Sequence, residues 1–156
     1  WLEDVRRKRQ ENKERLLPLG KIQSLPDALN SYERTLTAIV QTTREQGSEP
    51  ILMAQAVQSI FLSQEERDQL WMGVINDGDG YISEDQYPGI LDQYNKRMQK
   101  VAEVENVLFI DLPAKIDKGH KPFYDGMHFN EWGANAVAKV VADFFISNEL
   151  LNTDKE

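Results

Sequence analysis

Val107-Leu108-Phe109-Ile110-Asp111-Leu112, taken with the stretch in front of it, decides the fold class of this chain. From Pro88 to Val104 the residues Ile90, Leu91, Tyr94, Met98, Val101 and Val104 recur at helical spacing. That pattern predicts a helix delivering the chain into a short buried strand over 107–112. The same pairing occurs upstream. Leu29, Tyr32, Leu36, Ile39 and Val40 mark a helix that Gly47 ends, and Pro50 then leads into Ile51-Leu52-Met53-Ala54-Gln55, an apolar run suited to a buried parallel strand. Ser24, with Asp27 three residues on, gives that first helix a capping-box-like start. Alternating helices and short apolar strands predict an α/β fold, a parallel sheet with helices on both faces. Only two strands are clear. Two strands cannot satisfy their own edges or bury three amphipathic helices, so the sheet expects further strands.

The third helix follows Asn130, which is placed to cap it, and carries Trp132, Ala136, Val137, Val140, Val141, Phe144 and Phe145 as an apolar face. The loop entering it, Tyr124-Asp-Gly-Met-His-Phe-Asn-Glu-Trp-Gly133, holds the candidate chemistry. Asp125 stands three residues before His128. Imidazole is the side chain best poised to move protons near neutral pH. A carboxylate on one ring nitrogen fixes the tautomer and leaves the other nitrogen as a base. In open α/β sheets active sites lie beyond the carboxyl ends of the strands, where a loop entering the terminal helix would sit. The competing reading makes Asp125 a turn residue, buries Met127 and Phe129, and leaves His128 incidental.

Asp125-Gly126-Met127-His128-Phe129-Asn130 with Gly133-Ala134 resembles the last sequence block of the SGNH (GDSL-type) serine hydrolases. Asn95, in a helix leading into 107–112, and the helix before 51–55 are similar to that family in the same order, so that the resemblance covers about residues 25–146. It implies a three-layer α/β/α, flavodoxin-like parallel sheet and an esterase in which His128 is the general base and Asp125 its orienting partner. It implies small acyl esters as substrates, acetylated carbohydrates among them, and no metal or organic cofactor. The family's Gly-Asp-Ser block, its oxyanion-hole glycine and its Gly-x-Asn-Asp asparagine are absent. Gly73-Val74-Ile75-Asn76-Asp77 has one residue too many and follows the wrong strand. The chain therefore resembles the C-terminal half of such a domain, with the nucleophile in a missing N-terminal half and no activity expected of the chain alone. A start at Trp1, without Met, is in keeping with a fragment or processed chain.

Composition sets the remaining bounds. The 156 residues have room for one domain: a charged helical lead-in over 1–20, a core over 25–146 and a tail over 147–156. A net charge of −8 argues against a nucleic-acid partner. There is no cysteine, and no apolar run approaches a membrane span. The compartment stays open. In the lead-in, Arg6, Arg7, Lys8, Arg9, Lys13 and Arg15 interleave with Glu3, Asp4, Glu11 and Glu14, which reads as a solvated helix laced with i,i+4 pairs rather than an anion-binding arm.

Between the two strands, Ser63 is placed to cap a short helix over 64–74, and the loop from Asn76 to Gln86 resembles an EF-hand calcium loop. Setting Gly80 at the sixth position puts Ile75 first and Gln86 twelfth, so both acidic anchors are lost. Asp77 and Asp79 are weak metal candidates, and a Gly/Asp-rich surface turn is the competing reading. His120, Lys115, Lys118 and Lys121 read as members of a polar loop over 113–124. Two alternatives to the esterase remain: a non-catalytic binding or assembly module of the same fold, and a weak calcium-binding protein.

Overall fold

The computed structural model describes residues 4, 7–8, 11, 14–20, 22–68, 74–75 and 80–150. The elements run α1 (Leu25–Glu45), β1 (Ile51–Met53), α2 (Gln64–Asp68), β2 (Val74–Ile75), β3 (Gly80–Tyr81), α3 (Tyr87–Glu105), β4 (Leu108–Ile110), a 3₁₀ turn (Leu112–Ala114) and α4 (Glu131–Ser147). β1 and β4 pair in parallel, Leu52 opposite Phe109, so the chain is a mixed helix-and-strand fold built on a small parallel sheet. Parallel pairing needs a crossover connection. The stretch ending in α3 supplies it.

α1 and α3 both deliver the chain to a strand through the same kind of turn. Gly47 (φ 77°) donates to the Arg44 carbonyl and Ser48 to that of Thr43. Asn106 (φ 52°) donates to Glu103, and Val107 to Ala102. These paired bonds satisfy the last helical carbonyls, and the left-handed residue re-aims the chain. Arg44 ties the two exits together, its guanidinium donating to the Glu105 carbonyl at 2.7 Å and the Asn106 carbonyl at 3.1 Å. The strands therefore start side by side.

Leu36, Val40, Leu52, Val101, Ala102 and Val107 form the first core cluster, flanked by Tyr32, Met98 and Phe109. Tyr32 meets Tyr94 edge-on, ring centroids 5.0 Å apart. Across α1 and α3, Glu33 accepts from Arg97 and Lys100. The strand register puts Leu52 and Phe109 on one face of the sheet and Met53 and Leu108 on the other. The first face is covered by α1 and α3. On the second, Met53 is 40% and Leu108 38% exposed.

Several sequence expectations need correction in detail. Ile39 (53% exposed) and Val104 (72%) point outward, because the contact between α1 and α3 is a narrow stripe that each misses by part of a turn. Ser24 makes no side-chain cap. Its backbone is αR, which aims the hydroxyl away from the first turn, and Pro26 has no N–H to cap. Ser63 does cap, its Oγ accepting from the Glu66 amide at 3.2 Å. The helix it starts is Gln64–Asp68, and Val74 lies in a strand rather than in that helix.

β2 and β3 pair as an antiparallel hairpin, Ile75 opposite Gly80. The lead-in runs alongside: Leu19 donates to the Tyr81 carbonyl, and Tyr81 to that of Leu17. A β-carbon on Gly80 would lie 2.6 Å from Leu19 Cδ2. This glycine therefore answers to a packing demand, and Gln86 spends its side chain on the Leu19 carbonyl and the Ser83 amide. Asp77 and Asp79 lie outside the described residues. In the lead-in, the described residues Asp4, Arg7, Lys8, Glu11, Glu14 and Arg15 are helical, and Arg7 pairs with both Asp4 and Glu11. No helix among the described residues is long and apolar enough to cross a membrane.

Candidate active site

Beyond the carboxyl ends of β1 and β4 the two following loops are tied to each other. Ser59 and Ile60 both donate to the Lys118 carbonyl at 3.0 Å, and Gln58 donates its amide to the Gly126 carbonyl at 2.7 Å. Gln58 itself is buried, its side-chain amide reaching the Ile60 carbonyl and Glu66. Glu66 also accepts from the Leu62 amide at 2.8 Å. Asn95, from α3, pairs with both backbone groups of Gln55, at 3.0 and 2.9 Å, in the way a neighbouring strand would.

A second core cluster holds the loop from below. Ala56, Leu112, Ile116 and Phe123 are buried together, with Phe129 and, from α4, Ala136, Val137 and Val140 packed against them. Phe123 and Phe129 bridge in antiparallel fashion and stack, centroids 5.3 Å apart. Asn130 then does three jobs. Its Oδ1 accepts from the Gly133 amide and caps α4, its Nδ2 donates to the carbonyls of Lys121 and Phe123, and its backbone amide donates to the Pro122 carbonyl at 3.0 Å. Gly133 has to be glycine: a β-carbon there would overlap the Pro122 carbonyl oxygen and lie 2.9 Å from Phe129 Cδ1. So the first turn of α4 and segment 121–123 press together, and the intervening residues close into a turn, with Tyr124 donating to the His128 carbonyl at 2.9 Å.

Asp125 and His128 lie inside that turn. The Asp125 carboxylate is buried, 2% exposed, and His128 Nδ1 meets both its oxygens, Oδ1 at 3.0 Å and Oδ2 at 2.9 Å. Oδ1 also accepts from the backbone amides of His128 (3.0 Å) and Met127 (3.3 Å). Gly126 takes φ 90°, which lets the chain fold back over its neighbour's carboxylate. Because an ionised carboxylate only accepts, Nδ1 carries a proton, and in the neutral ring Nε2 is the nitrogen with the lone pair. The His128 side chain is 60% exposed. A base whose far nitrogen is fixed to a buried carboxylate, while its ring faces outward, can take a proton from a group brought to it.

Tyr87, at the start of α3, donates to Met127 Sδ at 3.8 Å. Its phenol pKa is held above the usual value, first by burial and then by the Asp125 charge. A cleft of about 160 Å³ opens beside the loop, walled by Ala56, Pro88, Leu91, Pro113, Ile116 and Lys118. The Asp125–His128 pair does not line it. The two connect through Gln58, which joins the wall loop to Gly126.

The structure thus brings Asp125 and His128 together and leaves His120 apart, exposed in its loop with its carbonyl accepting from Phe123. Among the described residues no group of three or more His, Cys, Asp or Glu is placed to hold a metal ion. Sequence reasoning missed Gln58, Glu66 and Tyr87. Gln58 left one signal, an amide following the apolar pair Ala56-Val57. The chain matches no known family model, no curated protein and no solved structure.

Proposed function

We propose that this chain is the C-terminal part of an SGNH-type serine esterase, in which His128 is the catalytic base and Asp125 its positioning partner. One observation carries the reading: a fully buried carboxylate chelating Nδ1 of an outward-facing histidine, in a loop beyond the carboxyl ends of two parallel strands. A histidine placed by chance on a surface turn has no reason to acquire a desolvated anion that its neighbours must compensate. Here two backbone amides and the ring share that compensation.

The pair's geometry supports acyl transfer with His128 as the base. A serine hydroxyl from outside residues 1–156 attacks the acyl carbonyl while Nε2 of His128 takes its proton. The imidazolium forms beside the Asp125 carboxylate, which is where charge stabilisation is strongest. Collapse of the tetrahedral adduct breaks the ester C–O bond, and His128 returns the proton to the leaving alkoxide. Water then repeats the sequence on the acyl-serine, releasing the carboxylic acid. The expected substrates are small acyl esters, including acetylated carbohydrates.

The finer fold belongs to the same proposal. The exposed part of the Met53 and Leu108 face, and the strand edges left open among the described residues, would be covered by the strands and helix of an N-terminal half, completing a three-layer flavodoxin-like sheet. Treating the full-length protein with a fluorophosphonate and mapping the adduct by mass spectrometry tests the reading. A single labelled serine upstream of residue 1 is expected. No adduct would favour the non-catalytic module, and an adduct on a serine within 1–156 would overturn the missing-half arrangement.

A further inference from the structure

The cleft between the first turns of α3 and segment 113–118 takes no part in the chemistry of the Asp125–His128 pair, and its lining is of two kinds. Ala56, Pro88, Leu91, Pro113 and Ile116 wall it with apolar surface. Ala56 and Ile116 belong to the second core cluster and are 3% and 6% exposed, so the cleft reaches down to buried side chains. Its volume of about 160 Å³ is close to that of an engineered apolar cavity, roughly 150 Å³, that holds one benzene ring.

The polar residues of the lining differ in what they already hold. Asn95 spends both ends of its amide on the Gln55 backbone, and Asp92 is paired with Lys96 at 2.6 Å. The Lys118 ammonium, the Ser59 hydroxyl and the Gln55 side-chain amide have no partner among the described residues. The Lys118 backbone is nevertheless fixed, its carbonyl accepting from Ser59 and Ile60 at 3.0 Å. One unbalanced positive charge, with two neutral donors beside it, therefore borders an apolar floor. An inorganic anion would answer the charge and leave the walls wet. An alkyl alcohol would fill the walls and leave the ammonium unanswered. An amine would be repelled by Lys118. An α-amino acid would bring an ammonium to Asp92, the one carboxylate among the described lining residues, which Lys96 already engages.

We propose that this cleft is a second binding site, separate from the Asp125–His128 pair, for a small aliphatic monocarboxylate of about six carbons. The chain lies against Leu91 and Ile116, and the carboxylate meets Lys118. The inference does not rest on the esterase reading. The full-length protein is titrated with isocaproate while the backbone amide resonances of Ala56, Leu91 and Ile116 are followed by NMR. Isohexyl alcohol, leucine and inorganic phosphate are titrated in parallel. Isocaproate should shift those resonances saturably, with a Kd on the order of a millimolar. The alcohol should bind about fivefold more weakly, the worth of one exposed ion pair. Lys118→Met keeps the length of the side chain without its charge, and acid and alcohol should then bind equally. Leu91→Ala should weaken both by about fivefold. His128→Ala should bind as the parent does. No saturation with isocaproate up to tens of millimolar would overturn the assignment. So would an alcohol bound as tightly as the acid, phosphate that saturates the same resonances equally well, or leucine bound more tightly. Binding with no serine labelled would sink the esterase alone, and labelling without binding would sink this inference alone.

Discussion

Replacing Gly133 by alanine should release the loop that carries the Asp125–His128 pair. The new methyl group would overlap the Pro122 carbonyl and crowd Phe129. Neither can give way easily: Pro122 accepts the Asn130 amide at 3.0 Å, and Phe129 is stacked on buried Phe123. Overpacking of this kind costs about 1–3 kcal/mol. Displacing segment 121–123 also forfeits the Asn130–Pro122 bond, worth about 1 kcal/mol. Alanine's better helix propensity offsets at most about 1 kcal/mol, and less in a first turn. The net loss is about 1–4 kcal/mol, and its middle, about 2–3 kcal/mol, is roughly 30- to 150-fold in a local opening equilibrium. Amide hydrogen exchange reads this residue by residue. The Asn130 and Tyr124 amides should exchange faster by about that factor, while those of Val40 and Val101, in the other core cluster, stay as they were. Unchanged protection at Asn130 would show that the close approach does not hold the loop, and the account of how the pair is positioned would fail.

Asn95→Ala removes both bonds to the Gln55 backbone and should lower stability by about 1–3 kcal/mol, seen as a lower urea midpoint; an equal midpoint would count against the strand-like role given to Asn95. Asp125→Asn should bring the Tyr87 phenol partway back toward its ordinary range, since its charge is the second cause of the upward shift after burial. Tyrosinate absorbance during an alkaline titration reads this, and no change would mean the phenol does not feel the carboxylate. The sign for stability follows: a phenol pKa raised on folding contributes stability that is full below the unfolded value near 10.0 and is lost as pH climbs through the folded one. Calcium should bind the 76–86 loop only in the millimolar range or not at all, and micromolar affinity by calorimetry, abolished by Asp79→Ala, would restore the calcium reading.

Much of the framework was legible because period carries it. Leu29, Leu36 and Val40 announce α1, and Ile51-Leu52-Met53 and Leu108-Phe109-Ile110 announce strands, since burial of a stripe or of a short run is what those patterns encode. The Asp125–His128 pair was legible as a spacing, and Asn130 as a cap. What was not legible depends on contacts far apart in the chain. Val104 has the right spacing but falls off the stripe, Trp132 belongs to the first turn where α4 is still at the surface, Gly80 is dictated by the Leu19 side chain packed on it, and Gly133 by the Pro122 backbone. Gln58 and Tyr87 reach the site only through the fold, by a backbone bond to Gly126 and a side-chain contact to Met127.

On the proposed reading Asp125 holds His128 as the base of an ester hydrolase, and kcat of the full-length protein on a short-chain aryl ester reads that role. His128→Ala removes the base and should abolish turnover with the circular dichroism unchanged. Asp125→Asn keeps the size and the acceptor for the two backbone amides, but turns an N–H toward Nδ1 and so moves the ring proton to Nε2. The same exchange in a serine protease costs about 10⁴ in kcat, and a loss of roughly 10²–10⁴ is expected here. His120→Ala should remain near the parent value. Full activity in His128→Ala, or its collapse in His120→Ala instead, would contradict the account.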